Sequence, residues 1–166
     1  MSARTETVYF GSGGFWSRQP LFDKLHGVVS TRSGYMGGWG VNPTRDQVNS
    51  GMTGHTEVVE VTFDTNLTKF RTLLKAFFSF HDPTVAREEK GGQYRSVVFC
   101  RKAKQNIVTE RAIALLRENG LDVVTQVKDA GLFWVASEGQ QHRATRDEQL
   151  PAGVYDEVTL VEAAGV

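Results

Sequence analysis

The stretch VYFGSGGFWSR, Val8 to Arg18, constrains the fold more than any other part of the chain. Apolar Val8, Tyr9 and Phe10 read as a short strand, Gly11 to Gly14 as a turn, and Phe15 and Trp16 as the opening of a helix. The glycines free the turn from side-chain clashes. The first helical N–H groups have no intrahelical partner, so they point at whatever occupies the turn. Such an arrangement welcomes an anion, an oxyanion or a polarised oxygen.

Downstream, hydrophobic spacing sets the order of elements. Phe15, Leu21, Phe22 and Leu25 share a helix face, with Pro20 expected to kink that helix or confine regular structure to one side, and an end near His26 and Gly27. Val28 to Tyr35 reads as a strand. Residues 36–55 form a long glycine-rich loop around one short helix, with Asn42 as its N-cap, Pro43 at its first position and Ser50-Gly51 at its end. Thr56 to Phe63 alternates, placing Glu57, Val59, Val61 and Phe63 on one face. A carboxylate opening an apolar row is either at the strand's wet end or in a pocket that raises its pKa.

Leu67, Phe70, Leu73, Leu74, Phe77 and Phe78 predict an amphipathic helix stopped by His81-Asp82-Pro83. A strand follows at Tyr94 to Arg101, then a helix over 103–119 with Ile107, Ala112, Leu115 and Leu116 inward. Val123 to Val127 is a further strand. Trp39 and Trp134 read as core or loop packing, and Val154 to Val161, within 147–166, as an edge strand or a tail. This order predicts an α+β fold, a mixed sheet with helices packed mainly on one face, as a single domain over 1–166.

Lys plus Arg equals Asp plus Glu at 19 each, which gives no electrostatic case for nucleic acid or an anionic membrane and leaves a small molecule as the expected partner. No apolar run approaches the ~18 residues of a spanning helix, and the N-terminus lacks the apolar core of a secretory signal, so the expected location is the cytoplasm. The four histidines stand singly, so no metal and no cofactor are expected. A single cysteine, Cys100, rules out an intrachain disulfide and a two-thiol cycle, and it reads as a buried strand residue.

Several motifs in this order resemble the peptide methionine sulfoxide reductase A family: GGFW, GYMGG (34–38), NPT (42–44), SGMTGHTEVV (50–59), FSFHDPT (78–84) and GGQYRSVVF (91–99). The resemblance covers the chain from the opening turn to about Trp134 and implies that family's two-layer, ferredoxin-like sandwich. It implies Phe15 and Trp16 as the aromatic wall of a methyl sulfoxide pocket, Glu57 as the acid on the sulfoxide oxygen, and Tyr35 and Tyr94 as its hydrogen-bonding phenols. Glu89 falls where the family has an aspartate that helps bind the methionine backbone, and His55 lies beside Glu57 in sequence. Gly14 stands where the family's GCFW motif has its nucleophilic cysteine, and Asn49 where many relatives have another.

Thiolate attack on sulfur is beyond glycine and beyond a buried strand cysteine. The sequence reading therefore expects a reductase scaffold that has left redox chemistry. Glu57, Tyr35 and Tyr94 are its catalytic residues, and Gly14, Phe15, Trp16, Glu89 and His55 bind substrate. A carboxyl of raised pKa beside aromatic faces suits proton transfer through a cationic intermediate. By resemblance to cysteine-less relatives, the expected reaction is a Pictet–Spengler condensation of a tryptophan-like amine with an aldehyde or keto acid, in alkaloid biosynthesis. The alternative is an inactive homologue that binds methionine sulfoxide or a similar ligand.

Overall fold

The computed structural model describes residues 4–143. Six strands form one sheet in the order β5-β4-β1-β3-β2-β6. They are β1 (Thr5–Ser12), β2 (Val28–Met36), β3 (Thr56–Asp64), β4 (Ser96–Cys100), β5 (Gln126–Asp129) and β6 (Trp134–Val135). All neighbours pair antiparallel except β4 and β5, which are parallel. That parallel pair needs a crossover, and α5 (Ala103–Glu118) supplies it. The other helices are α1 (Phe15–Asp23), α2 (Arg45–Asn49), α3 (Phe70–Ser79) and the irregular turn α4 (Glu89–Gly92).

One face of the sheet meets the helices. Val8, Phe10, Val59, Val61, Phe63 and Val98 pack there against side chains of α1, α3 and α5. Phe10 is the hub, its ring stacked 5.1 Å from Phe22 and 4.9 Å from Phe77. Each phenylalanine buried this completely contributes roughly 1.5–3 kcal/mol. The opposite face carries a smaller cluster of Tyr9, Met36, Val58, Val97 and Phe99 under Ala130 and Phe133. The expected mixed sheet with helices on one face is therefore the observed one.

Several boundaries differ for local reasons. The short helix is capped by Thr44, not Asn42. Thr44 Oγ1 accepts from Gln47 N at 3.2 Å and Gln47 Oε1 from Thr44 N at 2.8 Å, a reciprocal box that outcompetes an asparagine whose φ is 47°. Leu67 lies outside α3 and is 55% exposed, because Leu67 N and Thr68 N both bond back to Asp64 O in a turn. Along α5 the inward row is Gln105, Thr109, Ala112, Ile113 and Leu116, while Ile107 is 50% exposed and Leu115 also faces out. The polar members hold because Gln105 Oε1 accepts from Arg101 N and Thr109 Oγ1 donates to Gln105 O.

The fifth strand starts at Gln126, since Val123 N and Val124 N are already spent on Leu121 O and Pro83 O. The fourth starts at Ser96, because Arg95 N turns back to Gly92 O. Pro20 sits inside α1, which stays one helix and ends at Asp23 before Gly27, whose φ is +86°. Trp39, expected to pack, is 75% exposed. The edge strand or tail expected at 154–161 lies outside the described residues. Among the described residues, no helix is long and apolar enough to cross a membrane.

The topology fixes where a site can form. Strand β1 is flanked by β3 and β4, both antiparallel to it, so both begin where β1 ends. The turn into α1, the first residues of β3 and the loop before β4 thus converge at one end of the sheet.

Candidate active site

Strand β1 ends at Ser12, Gly13 turns the chain with φ +106°, and Gly14 caps α1 with φ −61° and ψ 130°. Beyond this cap the Phe15 N–H has no helical partner and donates instead to Glu57 Oε1 at 3.2 Å. The other carboxyl oxygen of Glu57 accepts a short hydrogen bond from the side-chain amide of Gln93. Gln93 holds the same residue by its backbone as well, since Glu57 N donates to Gln93 O at 2.9 Å. The Gln93 amide also donates to Asn49 Oδ1 at 2.7 Å, tying the end of α2 to the acid.

Glu57 is 2% exposed. Burial raises its pKa, and the bonds from Phe15 and Gln93 with the charges of Arg45 and Lys90 oppose that rise without cancelling it. Of the two sequence readings of this acid, the wet strand end is excluded: Glu57 is buried with its pKa raised. Strand pairing sets Tyr35 directly opposite Glu57, so both project from the same face of the sheet. Tyr35 is buried, its ring 5.6 Å from that of Phe15. Tyr94 borders Gly14, with Cε1 3.9 Å from where a Cβ of residue 14 would stand. Burial raises the pKa of both phenols, so both remain hydrogen-bond donors at neutral pH.

Gly14, Phe15, Tyr35, Glu57 and Tyr94 are thus brought together. Trp16 lies at the edge of the cluster, where its Nε1 donates to Gln140 Oε1 at 2.5 Å and Arg45 Cζ stands 4.8 Å over its ring. Glu89 is exposed and engaged by Arg87 Nε at 3.0 Å. Among the described residues His55 makes no hydrogen bond, ion pair or ring contact with the cluster. It is buried against Gly38 and near Arg95, and burial lowers its pKa. Sequence reasoning missed Gln93 and Arg45, although each lies in or beside a motif already singled out, GGQYRS and NPT.

Cys100 lies elsewhere. It pairs across the sheet with Val8, about 13 Å from Ser12 at the usual rise per strand residue, is buried, and has its thiol pushed up to about 11 by that burial. Among the described residues no group of three or more His, Cys, Asp or Glu gathers as metal ligands.

The family model described as peptide methionine sulfoxide reductase matches residues 6–159. The chain is 43% identical over 145 residues to the peptide methionine sulfoxide reductase MsrA of Methanothermobacter thermautotrophicus, covering 84% of this chain and 86% of that one. It is 39% identical over 145 residues to MsrA 1 of Nostoc sp., covering 84% and 89%. Methionine sulfoxide reductase A of Corynebacterium diphtheriae superposes with TM-score 0.76 at 31% identity, over 87% of this chain and 76% of that one. Mxr1 of Saccharomyces cerevisiae in its reduced form, at 22% identity, shares the fold with TM-score 0.81 over 92% and 91%.

These relatives correct the functional expectation. Each of the reductases is named for sulfoxide reduction and none for a condensation. The Pictet–Spengler cyclase, the place in alkaloid biosynthesis and the inactive, non-reductase reading are therefore set aside.

Proposed function

The chain belongs to the peptide methionine sulfoxide reductase family, and from that premise we propose that it reduces methionine-like sulfoxides with an acid of its own and a thiol brought by a second molecule. One observation carries the reading. A buried carboxyl of raised pKa, Glu57, is held at the first N–H of α1, next to a helix cap, Gly14, that has no side chain.

In this reading Gly14 occupies the place of the family's thiol. The one cysteine of the sequence, Cys100, is buried, poorly ionised and at the far end of its strand pairing. The nucleophile must then enter from solution. The sulfoxide's methyl group lies against Phe15 and Trp16, and its oxygen is met by Glu57, Tyr35 and Tyr94. The external thiol bonds to the sulfoxide sulfur as the S–O bond breaks. The oxygen leaves as water with one proton from Glu57 and one from the thiol. A second thiol then attacks the first thiol's sulfur, releasing the thioether and a disulfide and returning a proton to Glu57. Two electrons pass from two thiols to the sulfoxide, and the atoms balance.

A carboxyl suits this step only while it is protonated at working pH, and burial of Glu57 acts in that direction. The test is methionine release from separate S and R sulfoxides with and without dithiothreitol. The expected result is protein- and thiol-dependent product from one epimer, cut ~10²-fold by Glu57→Gln. No methionine above the protein-free control for either epimer overturns the reading.

A further inference from the structure

The chain is neutral overall, yet cations gather round this one site. Arg45 Cζ stands 4.8 Å over the Trp16 ring and 5.6 Å over that of Phe15, and Arg143 Cζ lies 4.2 Å over Trp16. Arg87 Cζ is 4.9 Å and Lys90 Nζ 5.8 Å from the Tyr94 ring centre. A Cβ on Gly13 would find guanidinium nitrogens of Arg18 and Arg87 at 3.4 and 3.5 Å, so both groups close over the turn into α1.

Both acids of the site are already engaged. Glu89 is committed to Arg87, and the oxygens of Glu57 are taken by Phe15 N and Gln93. Arg45 forms no ion pair among the described residues, and its Nη1 is buried with no hydrogen-bond partner. A buried donor on a charged group is costly to leave unmade. A guanidinium resting on aromatic faces still presents its in-plane N–H fork, the geometry that grips an oxyanion. Of the guanidiniums on this rim, Arg45 is the one with a buried nitrogen left unbonded.

We propose that the site takes a small molecule carrying its own oxyanion, a carboxylate or a phosphate, in preference to a residue inside a peptide chain, and that Arg45 is the residue that selects it. An internal peptide residue brings only neutral amides to this rim, whereas a free acid brings a charge-assisted, bidentate partner, roughly twice as strong per hydrogen bond. The inference rests on the sulfoxide reading for the neutral end of the ligand only.

The test is calorimetric titration of the full chain with N-acetylmethionine sulfoxide, which keeps its carboxylate, and with the corresponding N-methylamide, which mimics a peptide. Inorganic phosphate and acetate are titrated alongside, and whichever binds better names the oxyanion. The acid is expected to bind about 10-fold more tightly than the amide, a preference that weakens with salt and falls to about 2-fold or less in Arg45→Gln. Arg45→Lys, which keeps the charge and loses the fork, should fall between. Circular dichroism confirms that both variants fold.

Equal affinity for acid and amide, a preference that survives Arg45→Gln, or no binding of either small anion would overturn the proposal. Because turnover is not the readout, an Arg45-dependent oxyanion preference in a protein that yields no methionine would remove the external-thiol reading and leave this one standing. Turnover of acid and amide alike would do the reverse.

Discussion

On the proposed sulfoxide reading, Gly14→Cys puts a thiol beside Glu57, at the start of α1. The backbone there imposes no strain: φ −61° and ψ 130° are open to any L residue, and a Cβ meets only Tyr94 Cε1, at an ordinary 3.9 Å. The new sulfur would sit at the N-terminus of α1, a setting that lowers a thiol pKa from about 8.5 into roughly the 3.5–7.5 range. At neutral pH that alone raises the thiolate fraction about 10-fold over a small free thiol, of which only a few per cent is ionised. Tethering adds more, because positioned groups reach effective molarities far above any thiol concentration in an assay, up to ~10⁵ M and beyond. A gain of at least ~10²-fold in methionine formation with dithiothreitol as reductant is the conservative expectation. Iodoacetamide alkylation against pH reports the new thiol's pKa, and adding Glu57→Gln should reverse ~10²-fold of the gain. A folded Gly14→Cys protein with a low-pKa thiol and no more product than the parent would refute the claim that the acid, the phenols and Gly14 surround a sulfoxide.

Glu57 also predicts a pH-dependent stability. Its folded pKa is raised, so it favours the native state in acid, below the unfolded value of about 4.3, and that contribution is lost as pH rises through the folded pKa. Glu57→Gln should therefore gain in Tm over the parent as pH goes from 4 to 8, and a Tm difference that shrinks with pH counts against the assigned burial cost. Gly34→Ala would press a methyl against Phe133 and to 2.5 Å from Trp134 O, disturbing the pairing of β6 with β2. A loss of about 1–3 kcal/mol in urea unfolding is expected, and an unchanged midpoint would show that β6 docks differently. Cys100→Ala should leave thiol-dependent turnover unchanged, and native Cys100 should resist alkylation at pH 7, since burial pushes its thiol to about 11. Loss of turnover in that variant would return Cys100 to the chemistry.

The legible parts of this chain are those where one physical rule dominates. Strict alternation through Val59, Val61 and Phe63 put Glu57 on the core side, and the strand found there keeps that face. The α5 face was misread because Gln105 and Thr109 point inward, and their polarity hides the inward row unless the bonds that satisfy them are known. Boundaries moved by a few residues wherever backbone groups were already spent in a turn, as at Asp64 and Gly92. The site was half legible. Phe15, Trp16, Tyr35, Glu57 and Tyr94 came through motifs, but Gln93 and Arg45 act through loop geometry, which carries no period to read.

The glycine at position 14 bears on function through volume more than through conformation. Gly13, at φ +106°, is held by its backbone; Gly14 is not. As an N-cap, glycine is only a few tenths of a kcal/mol worse than serine or aspartate, so local helix stability neither demands it nor forbids a replacement. The acid does not depend on that side chain either. Glu57 is fixed by its strand register opposite Tyr35, by the Phe15 N–H and by both backbone and side chain of Gln93. On the proposed reading, a site whose acid is held in four ways, and whose neighbouring residue has no side chain at an unstrained position, would keep its proton chemistry and gain room where the family's thiol attacks. In a chain of the reductase family, that is the space a second molecule's sulfur would need.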